Sequence, residues 1–312
     1  MKVFFPLKIS VFFFLIVFCS YFASYADNAM QIITSDNTVS LGFHDKSILV
    51  YRYNDVPFKP YVQQFHTLKG VNVLRDAPYD HLHHHALMFA VSVNGVTFWE
   101  EGENAGSQIH QSFSNVQVGQ SAEIDSARFM ETLEWISPKT ISLLREERSL
   151  ELIPLIDVNV LLLIWQSRLT PSPDQTKITI AGNHYYGLGI RFPVTMDKIG
   201  QFTNAENTDG RIFRGEEQLL EANWCAYTVE NENPLTICMF DHPTNYRPVT
   251  WFTMKTPFSY LSATLLYHEK PIELEYDQSL KLRYAVVIGD GILFHDYIYN
   301  LYKKWLTMPV WK

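Results

Sequence analysis

The chain lacks most of the features by which a sequence declares its chemistry. It has only three cysteines in 312 residues. Cys225 and Cys238, in Trp-Cys-Ala-Tyr and Ile-Cys-Met-Phe, are too few for a cysteine zinc site. The two could pair in an oxidising compartment, but apolar contexts of this kind suit free buried thiols better. No apolar run approaches the ~20 residues that a spanning helix needs. There is no run of Lys or Arg, and the net charge is -8, which argues against nucleic acid and anionic membranes as partners. Internal repeats, low-complexity tracts and Pro/Gly-rich linkers are also missing. So are a GxSxG elbow, a phosphate-cradling glycine loop, a dinucleotide fingerprint and an HExxH helix. Serine-nucleophile and nicotinamide chemistry are therefore disfavoured, and no spacing prescribes a metal.

Residues 1–26 read as a secretory leader. Lys2 and Lys8 precede the apolar run Val11 to Phe18, and Ser24-Tyr25-Ala26 supplies a small-x-small cleavage site. Cys19 would suit a lipoprotein only after a small residue, and bulky Phe18 stands there. The expectation is an exported protein, periplasmic or extracellular, with no stable membrane insertion once the leader is removed. Residues 27–312 are then expected to form one domain.

β signals dominate that remainder. Runs rich in β-branched and aromatic residues, divided by Gly, Pro, Asn and Asp, predict strands over 47–53, 86–93, 96–99, 109–118, 140–152, 157–166, 177–180, 235–240, 261–267 and 280–287. Asn94-Gly95 between two such runs predicts a type I′ hairpin, which needs positive φ at both central residues. From 294 to 306, Tyr297, Ile298, Leu301, Tyr302 and Trp305 fall at helical spacing. Strands without intervening helices predict an all-β fold, a large antiparallel β-sandwich closed by one C-terminal helix.

The chemical outlier is Asp80-His81-Leu82-His83-His84-His85, set against an apolar strand. A strand starting near His83 would put His83 and His85 on one face and His84 on the other. Such a cluster can carry acid/base chemistry, with Asp80 orienting an imidazole, or hold a divalent metal, with His81, His83 and His110 as candidate ligands. His110, in an alternating strand, reads more readily as a hydrogen-bonded sheet histidine than as a ligand. His184 precedes Gly187 and Gly189, which permit close approach of another group, and Arg191, whose fork needs a ligand oxygen or a carboxylate such as Glu146 or Glu147. Asp241, His242, Asn245 and Arg247 form a polar, Pro-bounded loop, which is either a ligand contact or a turn capping its own backbone. Trp99, Trp224 and Trp251 lie beside these polar segments, as sugar platforms or as ordinary core.

Taken together, 80–99, YYGLGIRFP at 185–193, WCAY at 224–227, FDHPTNYRP at 240–248, 257–274 and LRYAVVIGDG at 282–291 resemble, in order, a family labelled methane oxygenase PmoA. Its signature is Asp-His-Pro-His-His-Arg-Gly followed by Val-Asn-Gly and Phe-Trp. Here His85 stands in place of Arg, Ala86 in place of Gly, and Met88 where Trp is frequent. An oxygenase of the membrane needs apolar spans that this chain lacks. The resemblance instead implies a secreted protein of polysaccharide-degrading bacteria, with a fold like the galactose mutarotase supersandwich.

The leading expectation is a carbohydrate-active enzyme of hydrolase, lyase or epimerase type. His83, His84, Asp80 and His184 would carry the catalysis. Arg191, Asp241, His242, Asn245, Arg247 and Trp224 would grip a sugar or glycan fragment. The alternative is a non-catalytic sugar-binding sandwich, and the third reading is a metal oxygenase subunit. Any cofactor is expected to be a divalent metal.

Overall fold

The computed structural model describes residues 29–121 and 124–310, so the expected leader lies outside the described residues. Two large sheets form the body. The first has ten strands, in the order Met30–Thr34, Thr38–Phe43, Lys46–Arg52, Tyr61–Phe65, Leu87–Ala90, Gly187–Arg191, Tyr260–Thr264, Thr250–Met254, Glu217–Glu221 and Arg211–Arg214. The second has eight, in the order Gln201–Asn204, Trp224–Val229, Leu235–Asp241, Leu280–Asp290, Val160–Pro171, Ser142–Leu155, Ile124–Ile136 and Ser107–Ser121. A small sheet of Ile272–Glu275, Lys177–Ala181, Ser92–Val93 and Val96–Thr97 flanks them. The pairings are antiparallel, as the spacing of the strand signals implies.

The inward faces of the two large sheets share one apolar core. Leu188, Ile190, Trp251 and Leu261 of the first meet Trp165, Tyr227, Met239 and Tyr284 of the second. Burying such side chains away from water is the main force holding the sheets together, roughly 25 cal/mol per Å² of apolar area. One charged knot crosses this core. The fully buried Arg148 guanidinium donates to Glu146, Gln108, the Tyr51 hydroxyl and the Pro60 carbonyl.

A second core lies on the outer face of the eight-stranded sheet. There Ile153, Leu162, Trp224, Phe240 and Val287 are covered by Ile298, Tyr302 and Trp305 of the helix His295–Leu306. Strands under the helix are buried on both faces, so the second half of Ser142–Leu155 is buried without a break. The two cysteines follow from the same layering. Cys225 points into the inter-sheet core and Cys238 under the helix, and both thiols are free.

Most expected strands are present with shifted ends. Asn94 and Gly95 have φ of 50° and 80°, as a type I′ turn requires, and pair Ser92–Val93 with Val96–Thr97. The expected strand 86–93 is two strands, Leu87–Ala90 in the large sheet and Ser92–Val93 in the small one. The expected strand 157–166 starts later, at Val160. Ile156–Val158 is a 3-10 turn closed by Asn159 at φ 52°.

Candidate active site

The histidine segment is a compact turn and not the start of a strand. His81 N–H donates to the Pro78 carbonyl (2.9 Å), His84 N–H to His81 (3.0 Å) and Ala77 N–H to His84 (3.0 Å). Ala86 then takes φ 48°, a left-handed conformation unfavourable for a residue with a Cβ, and the strand begins only at Leu87. The expected alternation of His83 and His85 against His84 is therefore corrected. The rings of His81, His83 and His84 gather, with centroids 4.6 Å (81–84), 4.7 Å (83–84) and 5.7 Å (81–83) apart. His85 turns away to Asp76 and Glu101.

These three imidazoles line a cavity of about 380 Å³ together with Glu100, Arg214 and Glu217. The cavity lies on the face of the ten-stranded sheet opposite the inter-sheet core. Strand register sets this: Leu261 and Trp251 alternate inward, while Tyr260, Phe252 and Met254 form the cavity floor. Gly189 makes the floor possible, because a Cβ there would lie 2.0 Å from the Tyr260 hydroxyl oxygen. The close approach expected at Gly189 is thus that of a tyrosine. Gly187 has φ 142°, and a Cβ there would meet the Ala263 carbonyl at 2.0 Å.

Burial decides the charges. The His84 imidazole is driven down to about 2, by desolvation first and then by His83, His81 and Arg191 beside it, so it is neutral at any physiological pH. Burial also lowers His83, and Lys59 and His81 add to this against the opposing pull of Glu100. Glu100 Oε2 lies 3.5 Å from His83 Nε2. On the other wall, Glu217 is held by the Arg214 guanidinium (2.6 Å) and by His184 Nε2 (3.2 Å). His184, itself lowered by burial, is sandwiched against Phe213, and its Nδ1 faces Asn183 Oδ1 at 2.7 Å. Asp80 accepts from His81 Nδ1 (3.0 Å) and from Arg191 Nη2 (2.9 Å). It is therefore Asp80 that answers Arg191, while Glu146 is engaged with Arg148. Arg191 also lies 3.3 Å over the Phe258 ring.

The other expected site residues are not brought to this cavity. Asp241 and Asn245 brace a loop of the second sheet. Asn245 donates to Asp241 Oδ1 (2.7 Å) and to the Arg283 carbonyl (2.9 Å), and Asp241 Oδ2 accepts from Val249 N–H (3.0 Å). Asx side chains with backbone groups in reach satisfy them locally, which is the turn reading of that segment. His242 bonds Thr244 and packs edge-on against Trp305, Arg247 donates to the Lys270 carbonyl, and Trp224 is wholly buried under the helix. Trp251 is likewise core, while Trp99 lies behind His84, stacked on Tyr186. His110 sits on the other sheet, 2.7 Å from Glu131, and is removed from His81 and His83 as a shared metal ligand. Among the described residues no three His, Cys, Asp or Glu side chains stand where they could hold one metal ion.

Sequence reasoning missed Glu100, Glu217, Arg214, Tyr185, Phe258 and Tyr260 as cavity walls. Glu100-Glu101 directly after Trp99 was the available signal, since paired acids at the end of an apolar run have reason to be there. Glu217 carried none, because its partner His184 is 33 residues away in the chain.

Residues 38–303 match the model of a family described as "Family of unknown function (DUF6807)". No curated protein matches by sequence. Among solved structures, the chain is similar to the GH36 α-galactosidase AgaB of Geobacillus stearothermophilus, with TM-score 0.51 and 9% identity over 86% of this chain. The chain spans 41% of that enzyme's length, and the likeness shows a shared β-sandwich fold. A putative aldose 1-epimerase of Klebsiella pneumoniae subsp. pneumoniae matches at TM-score 0.41 and 10% identity, covering 88% of this chain and 85% of that one. The fold is thus one that a carbohydrate-active enzyme also uses.

Proposed function

The chain belongs to DUF6807, a family of unknown function, and we propose that it is a carbohydrate-active enzyme working by acid–base catalysis in the cavity of His81, His83 and His84. One observation carries this reading. Three imidazoles and two carboxylates, those of Glu100 and Glu217, face one pocket floored by aromatic rings. Aromatic faces pack against the apolar faces of sugar rings, and carboxylates accept from sugar hydroxyls. Moving a proton at a ring or glycosidic oxygen then needs a base and an acid placed opposite.

The residues divide these roles by their surroundings. Both oxygens of Glu217 are engaged, one by Arg214 and one by His184, which holds the carboxylate in place, as suits a group that grips a hydroxyl. Glu100 has only the looser contact with His83. It can take a substrate proton while the His83 ring, which burial favours in its neutral form, relays one by accepting at one nitrogen as it releases from the other. His84 stays neutral beneath them and offers a hydrogen bond without a charge. We place the protein outside the cytoplasm on the strength of Lys2, Lys8, the apolar run from Val11 to Phe18, and Ser24-Tyr25-Ala26.

The test is a panel of reducing monosaccharides, followed by NMR for anomeric or epimeric change, and of plant and algal oligosaccharides, followed by chromatography. Glu100→Gln should lower turnover roughly 100-fold or more, the order expected for removing a general base. Turnover unchanged in that variant, or no turnover of any panel member by the wild type, contradicts the proposal.

A further inference from the structure

Behind the cavity wall lies a charged cluster that the reading above leaves unused. The His85 ring is buried, with Nδ1 2.9 Å from Asp76 Oδ1 and Nε2 2.8 Å from Glu101 Oε1. Tyr61 stacks on it at 4.6 Å. The same carboxylates are engaged further: Asp76 Oδ2 accepts from the Tyr61 hydroxyl (2.8 Å) and the Gln63 amide (3.0 Å), and Glu101 Oε1 accepts from fully buried Lys59 (2.7 Å). Arg52 reaches the Tyr61 hydroxyl from the far side at 3.5 Å.

An ionised carboxylate only accepts, and a neutral imidazole has a single N–H. Two contacts of this length to two carboxylates therefore require the doubly protonated ring. Burial pushes His85 down, but the bonds to Asp76 and Glu101 outweigh it and hold its pKa above the ordinary value. Asp76 and Glu101 lie below their ordinary values for the matching reason, their own burial being outweighed by His85 and the other donors.

The chain connectivity gives this ring its leverage. His85 directly follows His84, Glu101 directly follows Glu100, and Asp76 lies on the strand-like segment that bridges His85 and leads into the histidine turn. We propose that His85 is a positioning residue: its imidazolium clamps Asp76 to Glu101 and thereby sets Glu100 and His84 at their places in the cavity wall. This rests on the reading of Glu100 and the histidines as a sugar-active site. It does not touch the substrate; it acts through its two carboxylates. Any side chain that presents a cation with donors on two sides fills the same role, and a neutral amide cannot, because it brings no charge and turns its carbonyl oxygen toward one of the two carboxylates.

The experiment compares His85→Arg and His85→Gln in the full chain, with steady-state kinetics on whichever sugar of the panel the wild type turns over. His85→Gln should lower kcat roughly 10–100-fold, the cost of a catalytic group misplaced by about 1 Å, with KM within about threefold. His85→Arg should restore kcat to within about threefold of wild type. If His85→Gln works like the wild type, or if folded His85→Arg is as impaired as His85→Gln, the clamp is refuted while the sugar site stands. If the wild type turns over no sugar, the site reading fails instead. Should His85→Gln not fold, ¹⁵N NMR of the wild-type ring decides: protons on both nitrogens at neutral pH uphold the clamp, and a neutral ring overturns it.

Discussion

Gly189→Ala is the sharpest probe of how the cavity floor is built. The added methyl would sit 2.0 Å from the Tyr260 hydroxyl oxygen, 2.8 Å from its Cζ and 3.3 Å from Trp99 Cη2. Carbon contacts are comfortable at about 3.5–4.0 Å, so the phenol must retreat by more than about 1 Å. It has little room to do so. Tyr260 is 3% exposed and is bounded by His84 at 5.3 Å and Phe252 at 6.2 Å between ring centroids. Its hydroxyl has no hydrogen-bond partner, so packing alone holds it. Overpacking of this kind costs about 1–3 kcal/mol. For a chain of this size that is a fall in Tm of roughly 2–12 °C. Differential scanning calorimetry of a double-variant cycle isolates the contact. Tyr260→Leu removes both clashing atoms, so Gly189→Ala should cost about 1 kcal/mol less, or better, in that background than in the wild type. Strict additivity, or an unchanged Tm for Gly189→Ala alone, would refute the account of Gly189.

Two further outcomes follow from buried charge. Because the pKa of His84 falls on folding, to about 2, the unfolded chain binds the proton more readily. The resulting stability is present above the ordinary histidine value near 6.5 and is lost progressively as pH falls below it; urea midpoints at pH 7.5 and 4.5 should therefore differ less for His84→Gln than for wild type, and equal differences would contradict this. Arg148→Met strips the donors from Glu146, Gln108, Tyr51 and Pro60 and leaves buried Glu146 without its cation, which should cost about 3–5 kcal/mol, or roughly 6–20 °C in Tm. A shift under about 2 °C would show that the knot is dispensable.

The fold was legible because strands and one helix obey short-range rules. Asn94-Gly95, the spacing from Tyr297 to Trp305, and the repeated β-branched runs each need only their own neighbours to be read. What failed was whatever depended on a second layer. Trp224 looked like a platform because it stands beside polar residues, yet the helix His295–Leu306 covers it. The 241–247 loop has the composition of a binding loop and of a self-capped turn alike, and only the bonds of Asn245 to Asp241 and Arg283 separate the two. In the histidine segment the cluster itself was visible, but its facing was not. Ala86 takes a left-handed φ that a residue with a Cβ seldom adopts, so the strand could not be extended back to His83. The clamp role of His85 needed coordinates for the same reason, since Asp76 and Glu101 come from opposite sides in sequence.

The account stands or falls on whether the imidazoles of His81, His83 and His84 meet a sugar. Their ring resonances, assigned by single substitutions and followed by ¹H–¹⁵N NMR while the sugar panel is titrated in, test this most directly. All three should shift together with at least one panel sugar, while those of His110 and His242, which lie outside the cavity, stay in place. If no sugar moves the three, or if His110 and His242 move with them, the cavity is not the site.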